Sequence, residues 1–135
     1  MTFSFSALIS ATVLLTFASS SLAQQRFDLI CEGEVRYDFA IEAAPRVESW
    51  EAHYRIDLDR RVWCGATCTS VNPLGVVTAT RIELAFEPLP YPMDPVVIDR
   101  TTGRTTSFMR MGDNTASREA ICRRATYSGI PEAKF

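Results

Sequence analysis

Four cysteines offer this chain its widest choice of chemistry. Cys31, Cys64, Cys68 and Cys122 could ligate zinc, cycle electrons or close disulfides. A four-thiolate zinc site usually draws its ligands as two close pairs, and here only Cys64 and Cys68 are close. A redox dithiol is usually CxxC at a helix start. Cys64-Gly65-Ala66-Thr67-Cys68 is one residue longer, and no helical pattern follows it. Covalent staples are the reading that remains, with three possible pairings. Cys64–Cys68 and Cys31–Cys122 are expected, because Gly65 helps a short loop turn and because terminal strands often lie side by side in a closed β structure.

His53 is the only histidine. It alternates onto the polar side of its segment, and no GxSxG elbow supplies a nucleophile, so a solvated strand residue is expected. Asp28, Glu32 and Glu34 share one strand face, where alternation with arginines reads as a wet surface of cross-strand ion pairs. The chain has no P-loop, dinucleotide fingerprint or calcium-loop pattern. The expectation is no catalytic residue, no metal and no cofactor.

Recognition is assigned to two loops. Residues 88–95 hold four prolines and carry Leu89, Tyr91 and Met93 between them. A stiff loop with apolar side chains docks at low entropic cost. Residues 99–104, Asp-Arg-Thr-Thr-Gly-Arg, have hairpin-turn composition, and Arg100 and Arg104 could read an anion there. One short strand, 96–98, separates the two loops. They therefore belong at opposite ends of it unless the proline-rich segment folds back along the side.

The elements that must hold these groups are strands. From Phe27 the sequence alternates: Phe27, Leu29, Cys31, Gly33, Val35, Tyr37, Phe39 and Ile41 inward, with charged residues between. Gly33 suggests a bend or a division of this strand. After Ala43-Ala44-Pro45 the pattern resumes with Trp50, Ala52, Tyr54, Ile56 and Leu58 inward. Asp59-Arg60 turns into a returning strand that ends at Trp63-Cys64. Asn72 to Gly75 reads as a turn, 76–86 as one strand, 96–100 and 104–111 as a hairpin, and 118–127 as the closing strand. The tail from Ser128 reads as irregular. The fold expected is all-β: a small antiparallel barrel or sandwich of about 7–8 strands, disulfide-stapled.

Residues 1–23 carry no charged side chain and end in Ser-Ser-Ser-Leu-Ala. This is the pattern of a cleaved signal peptide, with 24–135 as one β domain. Export would place the cysteines where disulfides persist. With 14 basic and 16 acidic residues, net charge −2 and no basic stripe, the composition argues against nucleic acid as a partner. No stable membrane insertion is expected after cleavage.

Phe27-Asp28-Leu29-Ile30-Cys31-Glu32-Gly33, Tyr54-Arg55-Ile56-Asp57-Leu58, Trp63-Cys64, Ile98-Asp99-Arg100-Thr101-Thr102-Gly103, Cys122 and Tyr127-Ser128-Gly129-Ile130-Pro131 with Lys134-Phe135 resemble a group of small exported bacterial proteins of unknown function. That resemblance spans most of the mature chain and implies no activity. The chain is more loosely similar to periplasmic inhibitors of c-type lysozyme, small disulfide-linked β-barrels whose inhibitory loop reads Ser-Gly-x-x-Tyr. Ser128-Gly129 match that loop, and Glu132 stands at the Tyr position. The expectation is a periplasmic or secreted, non-enzymatic binding module with an envelope protein partner, such as an enzyme it inhibits. A small apolar ligand held inside a barrel is the second reading, and a hydrolase using surface carboxylates the third.

Overall fold

The computed structural model describes residues 25–86 and 93–132. Residues 1–24, which include the expected leader, lie outside them, as do Leu89 and Tyr91. The described chain forms eight strands: β1 (Arg26–Asp38), β2 (Arg46–Asp57), β3 (Val62–Gly65), β4 (Asn72–Val77), β5 (Arg81–Leu84), β6 (Val96–Asp99), β7 (Arg104–Met111) and β8 (Asn114–Ala125). Each pairs antiparallel with its chain neighbour, and β1 pairs with β8, so the sheet closes into a barrel. Of the two architectures open to the sequence, the barrel is the one formed.

Closure rests on the expected staple. Cys31 faces Cys122 across the β1–β8 ladder, and the two are joined. The Cys122 amide points the other way, to Gly103 O at 2.8 Å. Cys31 and Cys122 are thus a non-hydrogen-bonded pair, the kind in which antiparallel side chains come closest. Cys64–Cys68 is the second bridge, and no cysteine is free.

Gly33 neither divides nor ends β1. A Cβ there would stand 2.1 Å from Glu119 O and 2.5 Å from Ala120 Cα, so the glycine permits β8 to pack tightly on β1. The strand instead stops at Asp38, where Glu42 N bonds Phe39 O at 3.0 Å. Ile41, expected inside, is 95% exposed at this hairpin tip. The segment 76–86 is not one strand either. Thr78 Oγ1 accepts the amides of Thr80 and Arg81 at 3.3 and 3.1 Å, and Thr78 N bonds Arg81 O. That hydroxyl turn separates β4 from β5 and outweighs the β propensity of the run. The expected turn at Asn72 is the start of β4. Pro73 fits there because the β3–β4 ladder is only two residue pairs long and Pro is tolerated near a strand's first residue. The closing strand begins at Asn114 rather than Arg118.

Strand lengths make the barrel lopsided. β1, β2 and β8 run 12–13 residues and β7 runs eight, whereas β3 to β6 run four to six. The lower half, where all the strands meet, is filled by Phe27, Leu29, Ile56, Ile82, Leu84, Val96 and Ile98. Above it the long strands continue as a wall, whose inner face the described residues cover only in part.

Candidate functional site

The recess at the foot of that wall is the candidate site. It has a volume of about 640 Å³ and is lined by Trp50, Ala52, Tyr54, Trp63, Phe86, Met93 and Arg118, with the 65–72 loop along one edge. Strand parity explains the lining. Trp50, Ala52 and Tyr54 continue the inward face of β2, whose lower member Ile56 is in the core, with Leu58 just past the strand packed against it. Trp63 is fixed by its indole N–H, which donates to Ala85 O at 2.8 Å, and meets Tyr54 and Phe86 edge to face. Burial pushes the Tyr54 phenol up to about 12 despite the nearby Arg118 charge, so it is a neutral hydrogen-bonding group at neutral pH. Both tryptophans of the chain line this one recess.

Arg118 is the unexpected member. Alternation from Cys122 places Ala120, Arg118 and Ala116 on the inner face of β8, and Ala116 and Ala120 are buried. The Arg118 guanidinium lies 5.6 Å from the Trp50 ring centroid. Its Nε is buried without a hydrogen-bond partner, and among the described residues it is in no ion pair. Sequence reading missed it by beginning the closing strand at Arg118 without tracing parity back from Cys122, which was the available signal.

His53 departs from expectation. It is on the outer face as read, but it is not merely solvated. Its Nε2 lies 2.7 Å from Asp28 Oδ2, and Asp28 is only 2% exposed. The tail after β8 covers that carboxylate: Ser128 donates its hydroxyl at 2.5 Å and its amide at 3.2 Å. Gly129 O accepts from Arg55 at 2.9 Å and Ile130 O from Arg60 at 3.3 Å, while the Tyr127 hydroxyl accepts the Ile130 amide. The irregular tail is thus a strap over β1 and β2, and it buries one of the three carboxylates assigned to a wet face. Burial pushes the Asp28 carboxyl up, and the Ser128 hydroxyl, His53 and the Ser128 amide together outweigh it, so its pKa lies below the ordinary value. Serine, histidine and aspartate do meet here, but in the wrong order for nucleophilic catalysis. The acid stands between the other two, so His53 Nε2 faces Asp28 and not the hydroxyl it would have to deprotonate.

The expected contact residues do not converge. Met93 bridges to Met109, and Asp94 N bonds Phe108 O at 3.1 Å, so the chain before β6 runs along the far part of β7, away from the 100–103 turn. Met93 borders the recess, and Leu89 and Tyr91 lie outside the described residues. Arg100 is engaged with Thr78 O at 2.6 Å and Arg104 with Glu119 at 3.1 Å. Between them Asp99 Oδ1 accepts the Thr101 and Thr102 amides, which hold its carboxyl below the usual range. The turn organises itself and leaves neither arginine idle.

Comparison with family models, with curated proteins and with solved structures finds no match to this chain.

Proposed function

We propose that this protein is an exported, non-enzymatic binding module of the cell envelope, and that it takes a small, largely apolar ligand in the recess at the foot of the long-strand wall. One observation carries the reading: both tryptophans, Tyr54 and Phe86 line a single space of about 640 Å³ above a filled core. Ligand sites are concave, mostly apolar spaces of about 300–1,000 Å³ with a few placed polar groups, and an eight-stranded barrel has room for one small ligand or for its own side chains. Among the described residues, side chains fill the lower half of this barrel and leave the recess above it open.

The envelope location rests on the charge-free leader and the two disulfides, which suit an oxidising compartment. A protein partner is the second reading. It is favoured by the top of the wall, where Tyr37 and Phe39 stack at 5.7 Å and the Arg46 guanidinium lies over both rings.

Titration with N-phenyl-1-naphthylamine, an uncharged aromatic probe, tests the ligand reading. Saturable quenching of tryptophan emission at one probe per chain is expected, weakened at least fivefold by Trp50→Ala. Absence of saturable quenching would remove the recess as a ligand site and leave the wall as the contact surface.

A further inference from the structure

We infer that the ligand of this recess carries a single oxyanion, a carboxylate or a group of like geometry, on its apolar body, and that Arg118 receives it. The inference rests on the recess being the binding site and adds the chemical class of its occupant.

A buried guanidinium normally has each N–H partnered, since an unmet donor away from water is costly. Two arginines here have a buried Nε without a partner, Arg55 and Arg118. Arg55 is accounted for structurally, because its two terminal nitrogens hold Gly129 O and Ala66 O at 2.9 and 2.5 Å and so tie the strap to the disulfide loop. Arg118 has no such role. Among the described residues its side chain makes no hydrogen bond, and its one directional contact is the Trp50 ring. The carboxylate in its own cross-strand row is Glu48, since Val35 pairs with both Glu48 and Arg118. Glu48 is already held by Arg46 at 2.9 Å. On the same strand, Glu119 points outward and pairs with Arg104. Among the described residues that line it, the recess therefore holds one guanidinium and no carboxylate, with Trp50 against that guanidinium and Trp63 and Phe86 as its further aromatic walls.

This combination selects for charge and shape together. The Nε and one terminal nitrogen of a guanidinium form a two-donor edge that matches the two oxygens of a carboxylate. An oxyanion that draws this edge into the recess would satisfy the idle Nε–H, which the unliganded side-chain position holds out of contact with solvent, and the attached ring or chain would lie against Trp50, Trp63 and Phe86. The neutral Tyr54 hydroxyl is a second donor for the same head group. A cationic ligand would meet the like charge of Arg118 and be disfavoured.

A matched pair of probes isolates the charge. 1-Anilinonaphthalene-8-sulfonate has the same aryl body as N-phenyl-1-naphthylamine and adds one sulfonate. The anionic probe is expected to bind at least tenfold tighter to the intact, oxidised protein. Arg118→Gln should lower its affinity about tenfold and change that of the neutral probe less than twofold, and Arg118→Lys should restore part of the difference. Equal affinities for the two probes in the wild type would overturn the oxyanion assignment while leaving the recess as an apolar site. So would an equal loss of both in Arg118→Gln. If neither probe binds, the site and the assignment fail together. Should Arg118→Gln not fold, the wild-type ratio and the Arg118→Lys variant still decide.

Discussion

The most consequential single residue outside the recess is Asp28, a carboxylate buried on what the sequence marks as a wet face. It accepts from Ser128 twice and from His53 once, so removing it strands three polar partners. Asp28→Ala is expected to cost about 2–3 kcal/mol, measured by urea denaturation. His53→Ala, which removes one partner of a charged acceptor, should cost about 1 kcal/mol rather than the smaller change typical of a solvated surface site. The pH dependence has a definite sign. Asp28 has a depressed pKa in the folded state, so its contribution is fully present above the ordinary carboxylate value near ~3.9 and is lost as pH falls through the lower folded value. The stability gap between wild type and Asp28→Asn should narrow as the pH falls below about 4. A gap that widened as the pH fell from about 4 to about 2 would contradict the strap geometry. Alternation assigned Asp28 to the correct side of β1. It could not show that the tail returns to that side, because a seven-residue irregular segment has no period to read.

At the scale of the element, parity was the legible quantity and strand limits were not. The inward series of β1 as far as Tyr37 and that of β2 follow from a period of two and hold in the structure, and the Cys31–Cys122 juxtaposition, expected from adjacent terminal strands, holds as well. Errors fall where a side chain competes for the backbone, as the Thr78 hydroxyl does between β4 and β5, and where a strand ends on a local turn, as at Phe39. The recess was illegible for a different reason. Its lining comes from β2, β3, β8 and the ends of the 85–95 segment, and only register brings those together. Gly33 belongs at this scale. A methyl group there meets backbone on β8, which has no rotamer to give way. Gly33→Ala is expected to destabilise by about 2–4 kcal/mol through forced separation of β1 and β8. Gly103→Ala should be similarly damaging, because φ is +75° and a Cβ would stand 2.4 Å from Cys122 O. Thermal melts of both variants, with the disulfides intact, check this.

For the molecule as a whole, the two staples differ in reach. Cys31–Cys122 closes a separation of 91 residues and Cys64–Cys68 one of four. In the chain-entropy picture the first is worth about 4–5 kcal/mol and the second about 2 kcal/mol. Replacing each pair with serine should give denaturant midpoints ranked wild type, then Cys64→Ser with Cys68→Ser, then Cys31→Ser with Cys122→Ser. The reverse ranking would show that the short loop organises more than itself. That the first and last strands would lie side by side was readable from the terminal cysteines, while barrel and sandwich both stayed open. That it would be lopsided was not, because strand length depends on turns that the composition only hints at.

The lopsided closure also decides how this protein would aggregate. Where all the strands meet, the closed sheet offers no unpaired edge to a neighbour, and the disulfide locks the β1–β8 seam shut. Above it, residues 46–53 of β2 have no strand among the described residues on their second side, an edge blunted by Arg46, Glu48 and Glu51. The thinnest seams are elsewhere: β3 meets β4 through two residue pairs, Val62 with Pro73 and Trp63 with Asn72, and β4 meets β5 and β6 meets β7 through two each. If the barrel opens while oxidised, it opens there, and it presents one Pro-bearing margin beside β3. Hydrogen exchange should accordingly be fastest at β3–β4 and slowest along β1 and the facing parts of β2 and β8. Fibril formation under oxidising conditions should be slow, and reduction should speed it by freeing two long, well-paired strands to recruit copies of themselves.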